Sequence, residues 1–316
     1  MSMSARRILQ ALLLVQALAA GAICYALLRY FAVGAGPALA LGIGAVLLVR
    51  LLITANNFML SACFRSATPA AFRLGPLGRL RLFGEEFMAT LLHSSWFMAR
   101  ASARAGRRIY PDAAAPPVLL LHGYGCNSGY WTHLRRRLDA ASISHASLDL
   151  EPVTGDIEDY VPLVQRAAEA LCADSGAPKL IVVAHSMGGL VARAWMRAHG
   201  SARVARVITL GTPHHGTSLA NFGVGRNAAQ MRRAGDAGTG AESDWLRALA
   251  ASESTATRAL VSSIYTHHDN IIAPQTSSVL PGARNIEFGG IGHVALGRNP
   301  RILNQVMDEI ATQSTT

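Results

Sequence analysis

Ser186 stands in the run Ala184-His185-Ser186-Met187-Gly188, with a small residue two positions away on either side. Before it lies an apolar run, Leu180-Ile181-Val182-Val183, and after it a good helix former, Leu190-Val191-Ala192-Arg193-Ala194-Trp195-Met196. A buried strand, a tight turn and a helix are expected in that order. A serine at such a turn is held in a strained backbone conformation, so the residues two before and two after must be small to avoid colliding. The turn lifts the hydroxyl clear of the sheet edge and aims the helix N-terminus at it, where unpaired N–H groups and the dipole favour developing negative charge. A nucleophile that attacks a carbonyl needs that arrangement.

On these residues the chain resembles the α/β-hydrolase family, and within it the bacterial triacylglycerol lipases and esterases. The usual elbow is Gly-x-Ser-x-Gly; Ala184 departs from it by one methyl group, as in one lipase subgroup. Upstream, Pro117-Val118-Leu119-Leu120-Leu121 reads as a fully buried strand that runs into His122-Gly123-Tyr124-Gly125. In the family, a strand followed by His-Gly-x forms half of the oxyanion hole. The resemblance therefore implies the Tyr124 N–H as one donor and the Met187 N–H as the other. Gly123 and Gly188 let backbones approach closely, His122 is expected to brace the oxyanion loop, and His185 to pack or hydrogen-bond locally.

Downstream, Leu260–Thr266 reads as a strand ending at His267-His268-Asp269, which looks like the family's acid loop. A further strand, Arg284–Phe288, leads into Gly289-Gly290-Ile291-Gly292-His293, which looks like the loop of the base. The order Ser186, Asp269, His293 is the family order, and the 24 residues from Asp269 to His293 leave room for one strand between two loops at one sheet edge. In these roles His293 takes the proton of the attacking hydroxyl and returns one to the leaving alcohol, while Asp269 orients the imidazole. Val207–Leu210 is followed by Gly211-Thr212-Pro213-His214-His215-Gly216, which resembles a Thr-Pro-His-x-Gly loop of bacterial lipases. The resemblance gives Thr212, Pro213 and His214 a part in shaping the site. The adjacent pairs His214-His215 and His267-His268 lack metal-ligand spacing, so neither a metal nor a cofactor is expected.

Around these loops the chain alternates strand and helix signals: a helix near 130–140, a strand near 146–150, a helix over 157–173, then the serine unit, and a last helix near 299–310. Alternation of this kind predicts an α/β fold, a mostly parallel sheet with helices on both faces. Between 217 and 258 it breaks, with five glycines and a possible helix near 244–250, where the family inserts its cap. The alanine- and proline-rich stretch over 110–117 suggests a domain running from 112 to 316.

What precedes that domain is different in kind. Ile8–Leu28 is apolar except for Gln10 and Gln16, and a second apolar stretch runs from Phe31 to Ile53, with Arg50 near its end. Each is long enough to cross about 30 Å of hydrocarbon, so residues 1–56 are read as a two-span hairpin, the alternative being one signal anchor plus a buried helix. Residues 57–111 form a basic amphipathic connection. Residues 1–111 carry 12 arginines against Glu85 and Glu86, a net of +10 equal to the whole formal charge of the chain. Arg6 and Arg7 precede the first span and Arg65, Arg73, Arg79 and Arg81 follow the second, which places both ends, and the domain, on the cytoplasmic side of a bacterial inner membrane with an anionic leaflet as partner. The arginines are interleaved with Phe64, Phe72, Leu74, Leu77 and Leu80, and no nucleic-acid motif accompanies them. The segment over 85–98 reads either as an interfacial helix or as one packed on the domain. Together these features imply a membrane-anchored serine hydrolase of acyl or lipid esters, a lipase or carboxylesterase. An acyltransferase with the same triad and a non-catalytic membrane scaffold are the alternatives; oligomeric state is not encoded in any of them.

Overall fold

The computed structural model describes residues 4–101, 106–111, 113, 115–234 and 240–313. Helices α1 (Ala5–Tyr30), α2 (Ala35–Cys63) and α3 (Pro76–Leu92) come first, α3 ending in a π-helical turn over His93–Phe97. Strands β1 (Arg107–Arg108), β2 (Val118–Leu121), β3 (His145–Leu148), β4 (Leu180–His185) and β5 (Val204–Leu210) follow, with helices α4 (Thr132–Ala140), α5 (Ile157–Ser175) and α6 (Met187–His199) between them. After β5 come α7 (Arg226–Gln230), a short hairpin of β6 (Arg233–Ala234) and β7 (Ala241–Glu242), α8 (Asp244–Ala251) and α9 (Thr255–Ala259). Strand β8 (Val261–Thr266), β9 (Arg284–Phe288) and α10 (Pro300–Ala311) complete the chain.

The main sheet has the order β1-β3-β2-β4-β5-β8-β9, with every pair parallel except β1 on β3. Strands β2 and β4 are buried on both faces, which is why they read as unbroken apolar runs. Their side chains alternate between two cores. Leu119, Leu121, Val182 and Ala184 face one with α5 and α6, whereas Val118, Leu120, Ile181 and Val183 face the other with α4 and α10. Local chemistry sets the helix ends: Asp156 caps α5 in a reciprocal capping box and Gly176 closes it at φ 68°. In α10, Ile302, Leu303, Val306 and Ile310 form the buried stripe of an amphipathic helix.

Helices α1 and α2, of 26 and 29 residues, are long and apolar enough to cross a membrane by length and composition. They pack on each other while leaving Leu14, Val15, Leu18, Leu39, Leu41 and Leu48 exposed. Their polar interruptions point at protein: Gln10 Nε2 donates to the Ala99 carbonyl at 3.0 Å. Arg50 donates to Gln16 Oε1 at 2.8 Å and to the hydroxyls of Ser94 and Ser95 at 3.1 and 2.9 Å. The arm is thereby fastened to the turn after α3.

Two boundaries differ from the sequence expectation. Helix α2 continues to Cys63, past residue 56, and β1 places Arg107 and Arg108 in the sheet although they precede residue 112. Composition marks where arginine density falls, while the fold follows hydrogen bonding, which carries the sheet back to Arg107 in the basic segment. The segment over 85–98 is likewise not one helix: α3 begins at Pro76, placed at its first helical turn, and packs on the domain.

Candidate active site

Strand β4 ends at His185, and Ser186 takes φ 53° and ψ −125° before α6 begins at Met187. Only a turn enforced from all sides holds a non-glycine residue there. Ser186 N–H donates to the Leu210 carbonyl at 2.9 Å, and Thr212 Oγ1 donates to the Ser186 carbonyl at 2.8 Å, so the neighbouring strand β5 and its exit loop clamp both sides of the peptide. Space is as constrained as the backbone. A Cβ on Gly188 would come within 2.5 Å of the Leu121 carbonyl oxygen, and one on Gly123 within 2.9 Å of Ser186 Cβ. The glycine requirement read from sequence is met by the approach of β2 to the helix start.

The acid and base are joined. His293 Nδ1 donates to Asp269 Oδ2 at 2.7 Å, and both side chains are almost fully buried. Asp269 Oδ1 accepts the N–H groups of Ile271 and Ile272 at 2.8 and 2.7 Å, which fixes the orientation of the carboxylate. Asn270 Oδ1 accepts the His293 N–H at 3.0 Å. Burial alone would push the His293 imidazole down; the charge and hydrogen bond of Asp269, helped by Glu86, outweigh it and hold its pKa above the ordinary histidine value. With Nδ1–H given to Asp269, the free base is Nε2. No hydrogen bond joins it to Ser186 Oγ in the structure, an open geometry common before substrate binds.

Tyr124 and Met187 flank the serine. Met187 is the first residue of α6, where an N–H has no intrahelical acceptor, and among the described residues neither it nor the Tyr124 N–H donates to a loop or turn carbonyl. The Tyr124 hydroxyl donates to the Val224 carbonyl at 2.8 Å and accepts the Val224 N–H at 3.3 Å, linking the loop to the segment after β5.

The remaining histidines support rather than line the site. His122 Nε2 accepts the Leu150 N–H at 2.9 Å, so its proton is on Nδ1, which donates to the Gly123 carbonyl at 2.9 Å and stiffens the loop before Tyr124. Burial holds both His122 and His185 below the ordinary value, so each stays neutral. His185 stacks on Tyr130 at 4.2 Å between ring centres, and its Nε2 donates to the His293 carbonyl at 3.2 Å. His214 lies deeper, with Nδ1 toward Arg193 at 3.4 Å and Nε2 near Thr209 and Ser263, both at 3.3 Å. It props the loop of Thr212 and Pro213 from behind. Among the described residues no cluster of His, Cys, Asp and Glu is arranged to hold a metal.

One residue of the site was not found by sequence reasoning. Glu86, on α3 of the basic arm, is fully buried, and its Oε1 and Oε2 accept the Val294 and Ala295 N–H groups, each at 2.9 Å. It thus caps the 3₁₀ turn over Val294–Gly297 that begins immediately after His293. Burial raises its pKa, against the two N–H donors and His293, which lower it. The signal that would have found it is helical phase. Leu82, Glu86, Ala89 and His93 are all buried and recur at intervals of four, three and four, so the carboxylate occupies a core position of an otherwise amphipathic helix.

Residues 118–295 match the alpha/beta hydrolase family. A triacylglycerol lipase of Burkholderia plantarii is 31% identical over 139 residues, 40% of this chain and 37% of that protein. Another, of Pseudarthrobacter phenanthrenivorans, is 32% identical over 120 residues, 34% of this chain and 35% of that protein. The chain therefore spans little more than a third of these relatives. Among solved structures, a Bacillus licheniformis lipase in its mature form superposes with a TM-score of 0.56 at 19% identity, covering 66% of this chain and 97% of that one. Aspergillus fumigatus lipase B gives 0.53 at 19% identity, covering 66% and 55%. These likenesses carry the fold, and the family match covers more than half of the chain, elbow and acid loop included: the chain belongs to the α/β-hydrolase family.

Proposed function

We propose that the chain is a membrane-anchored serine hydrolase that cleaves carboxylic esters bearing an acyl chain, through an acyl-enzyme on Ser186. The observation that carries this reading is the 2.7 Å Asp269–His293 pair beside a serine held at φ 53° between a buried strand and a helix N-terminus. His293 Nε2 takes the Ser186 proton as Oγ attacks the ester carbonyl, and the resulting imidazolium is stabilised by Asp269. The oxyanion accepts from the Tyr124 and Met187 N–H groups, where the α6 dipole adds to the attraction. His293 then protonates the leaving alcohol, activates water, and the acyl group departs as the acid. Curated relatives named as triacylglycerol lipases support an acyl ester as substrate.

The membrane anchor rests on α1 and α2, long apolar helices with exposed leucines, and the arginine bias around them supports a domain on the cytoplasmic side of a bacterial inner membrane. We read the segment over 217–258, of which 235–239 lie outside the described residues, as the cap, with Phe222 and Val224 exposed and Val224 bonded to Tyr124. A fluorophosphonate probe applied to membranes holding the full chain tests the enzyme reading. Labelling that disappears in Ser186→Ala is expected. Absence of labelling together with absence of esterase activity would instead favour a non-catalytic scaffold.

A further inference from the structure

A cavity of about 750 Å³ lies between the last turns of α2, the start of α3 and the acid loop after β8. Phe58, Ala62, Leu82 and Phe83 supply apolar wall, and Arg65, Arg73 and Arg79 stand in its lining. Elsewhere the chain pairs its arginines when it brings them to buried carboxylates: Arg193 and Arg258 with Glu253, and Arg284 with Glu309. Among the described residues, Arg65, Arg73 and Arg79 have no carboxylate partner. Three like charges around one apolar slot repel each other, and an oxyanion placed among them relieves that cost. The acidic residue in the wall does not compete. Both Asp269 oxygens are committed, Oδ1 to two N–H groups and Oδ2 to His293.

The position of the cavity defines the ligand further. On the membrane-anchor reading proposed above, on which this inference rests, Phe58 and Ala62 belong to the last turns of a spanning helix, which sets the slot at the level where hydrocarbon gives way to headgroups. We propose that it binds one anionic phospholipid, the phosphate held among Arg65, Arg73 and Arg79 and an acyl chain laid along Phe58, Leu82 and Phe83. A phosphodiester adds two bridging ester oxygens to its two charged ones, against two oxygens in all for a fatty-acid carboxylate, so it offers three guanidiniums the larger set of acceptors. Neither Ser186 nor His293 lines the slot, so this lipid is held beside the site and is not the ester being cleaved. The inference stands or falls by binding, whether or not Ser186 proves to be the nucleophile.

The test uses the full chain in dodecyl maltoside and an ether-linked phosphatidylglycerol, which has no ester to hydrolyse, with bound lipid counted by native mass spectrometry. Saturable binding of one lipid per chain is expected. Replacing all three arginines by glutamine should weaken it about 100-fold, and each alone about fivefold. Ala62→Trp, which fills the slot and leaves the arginines in place, should weaken it at least tenfold; thermal melts show which variants remain folded, and the single arginine variants, all on the surface, keep the test open if the triple variant does not fold. Binding that is non-saturable, or unchanged in Ala62→Trp, would show a charged surface without a pocket and overturn the proposal. Palmitate displacing the phospholipid at equal concentration with the same arginine dependence would overturn the phosphate head, and inorganic phosphate doing so would overturn the acyl chain.

Discussion

The sheet and the N-terminal arm handle charge in opposite ways, and the site needs both. In the sheet domain buried ionisable groups face one another: Asp269 with His293 in the loops after the strands, and Arg193 of α6 with Glu253 after α8. In the arm most charges are unopposed arginines at the surface, and the one fully buried carboxylate, Glu86, is answered by backbone N–H groups of a loop more than 200 residues away. The candidate reacting groups thus come from the sheet, while the arm supplies a buried carboxyl that caps the turn after the base. A hydrolase domain cut at residue 112 would keep every reacting atom and lose that support.

The largest expected effects lie on the sheet side. Ser186→Ala removes the nucleophile and little packing volume, so esterase activity on a short p-nitrophenyl ester should fall by about 10⁶ or to background, with His293→Ala comparable. Retained activity in Ser186→Ala would move the chemistry elsewhere. Asp269→Asn preserves shape but presents an amide to Nδ1 and favours the wrong tautomer, a loss of roughly 10⁴ in turnover by analogy with serine proteases. A near-normal Asp269→Asn enzyme would mean that another group orients His293.

Glu86→Gln measures what the arm contributes. Both partners of the carboxylate are N–H donors, so a carboxamide satisfies one and turns its own NH₂ toward the other, leaving a buried conflict of about 1–3 kcal/mol. Turnover should fall about tenfold. The pH profile separates an electrostatic part from a structural one. The base must be neutral to act, so activity rises as pH climbs through the His293 pKa, which is held above the ordinary value. Glu86 contributes to raising it, so its neutralisation should move the acid limb of kcat/KM to lower pH. A loss of activity with an unmoved limb would reduce Glu86 to a cap.

Legibility divides along the same line. Strands β2 and β4 were readable because strands buried on both faces leave apolar runs, whereas β8, half serine and threonine, and the largely exposed edge strand β9 were legible through the family resemblance of the loops that follow them, which carry Asp269 and His293. The expectation that Asp269 meets His293 came from the family resemblance of their loops, and the two side chains stand 2.7 Å apart. Glu86 was missed because Glu85 beside it is chemically identical and composition does not separate the two; only the helical phase set by Leu82, Ala89 and His93 does. The strand at Arg107–Arg108 was hidden for a related reason: two exposed arginines carry no apolar signature, and their place in the sheet comes from backbone pairing with His145 and Ala146. Composition reports burial, and these elements join the fold through hydrogen bonds.

The smallest effect should come from Tyr124→Phe, which tests whether this residue acts through its backbone. Its N–H is the proposed oxyanion donor and survives the change; the phenol hydroxyl, which binds Val224 at 2.8 Å from an exposed position, does not. A solvent-accessible hydrogen bond contributes roughly 0.5–1.5 kcal/mol, because water replaces it when it is lost. Chemistry at Ser186 should therefore change less than about threefold for a short, soluble ester. If the Tyr124–Val224 bond holds the cap in place, the loss should instead appear in KM for long-chain esters, which need the apolar edge of Phe222 and Val224. A fall of 100-fold or more in kcat on the short ester would mean that the hydroxyl itself, and not the N–H, meets the oxyanion.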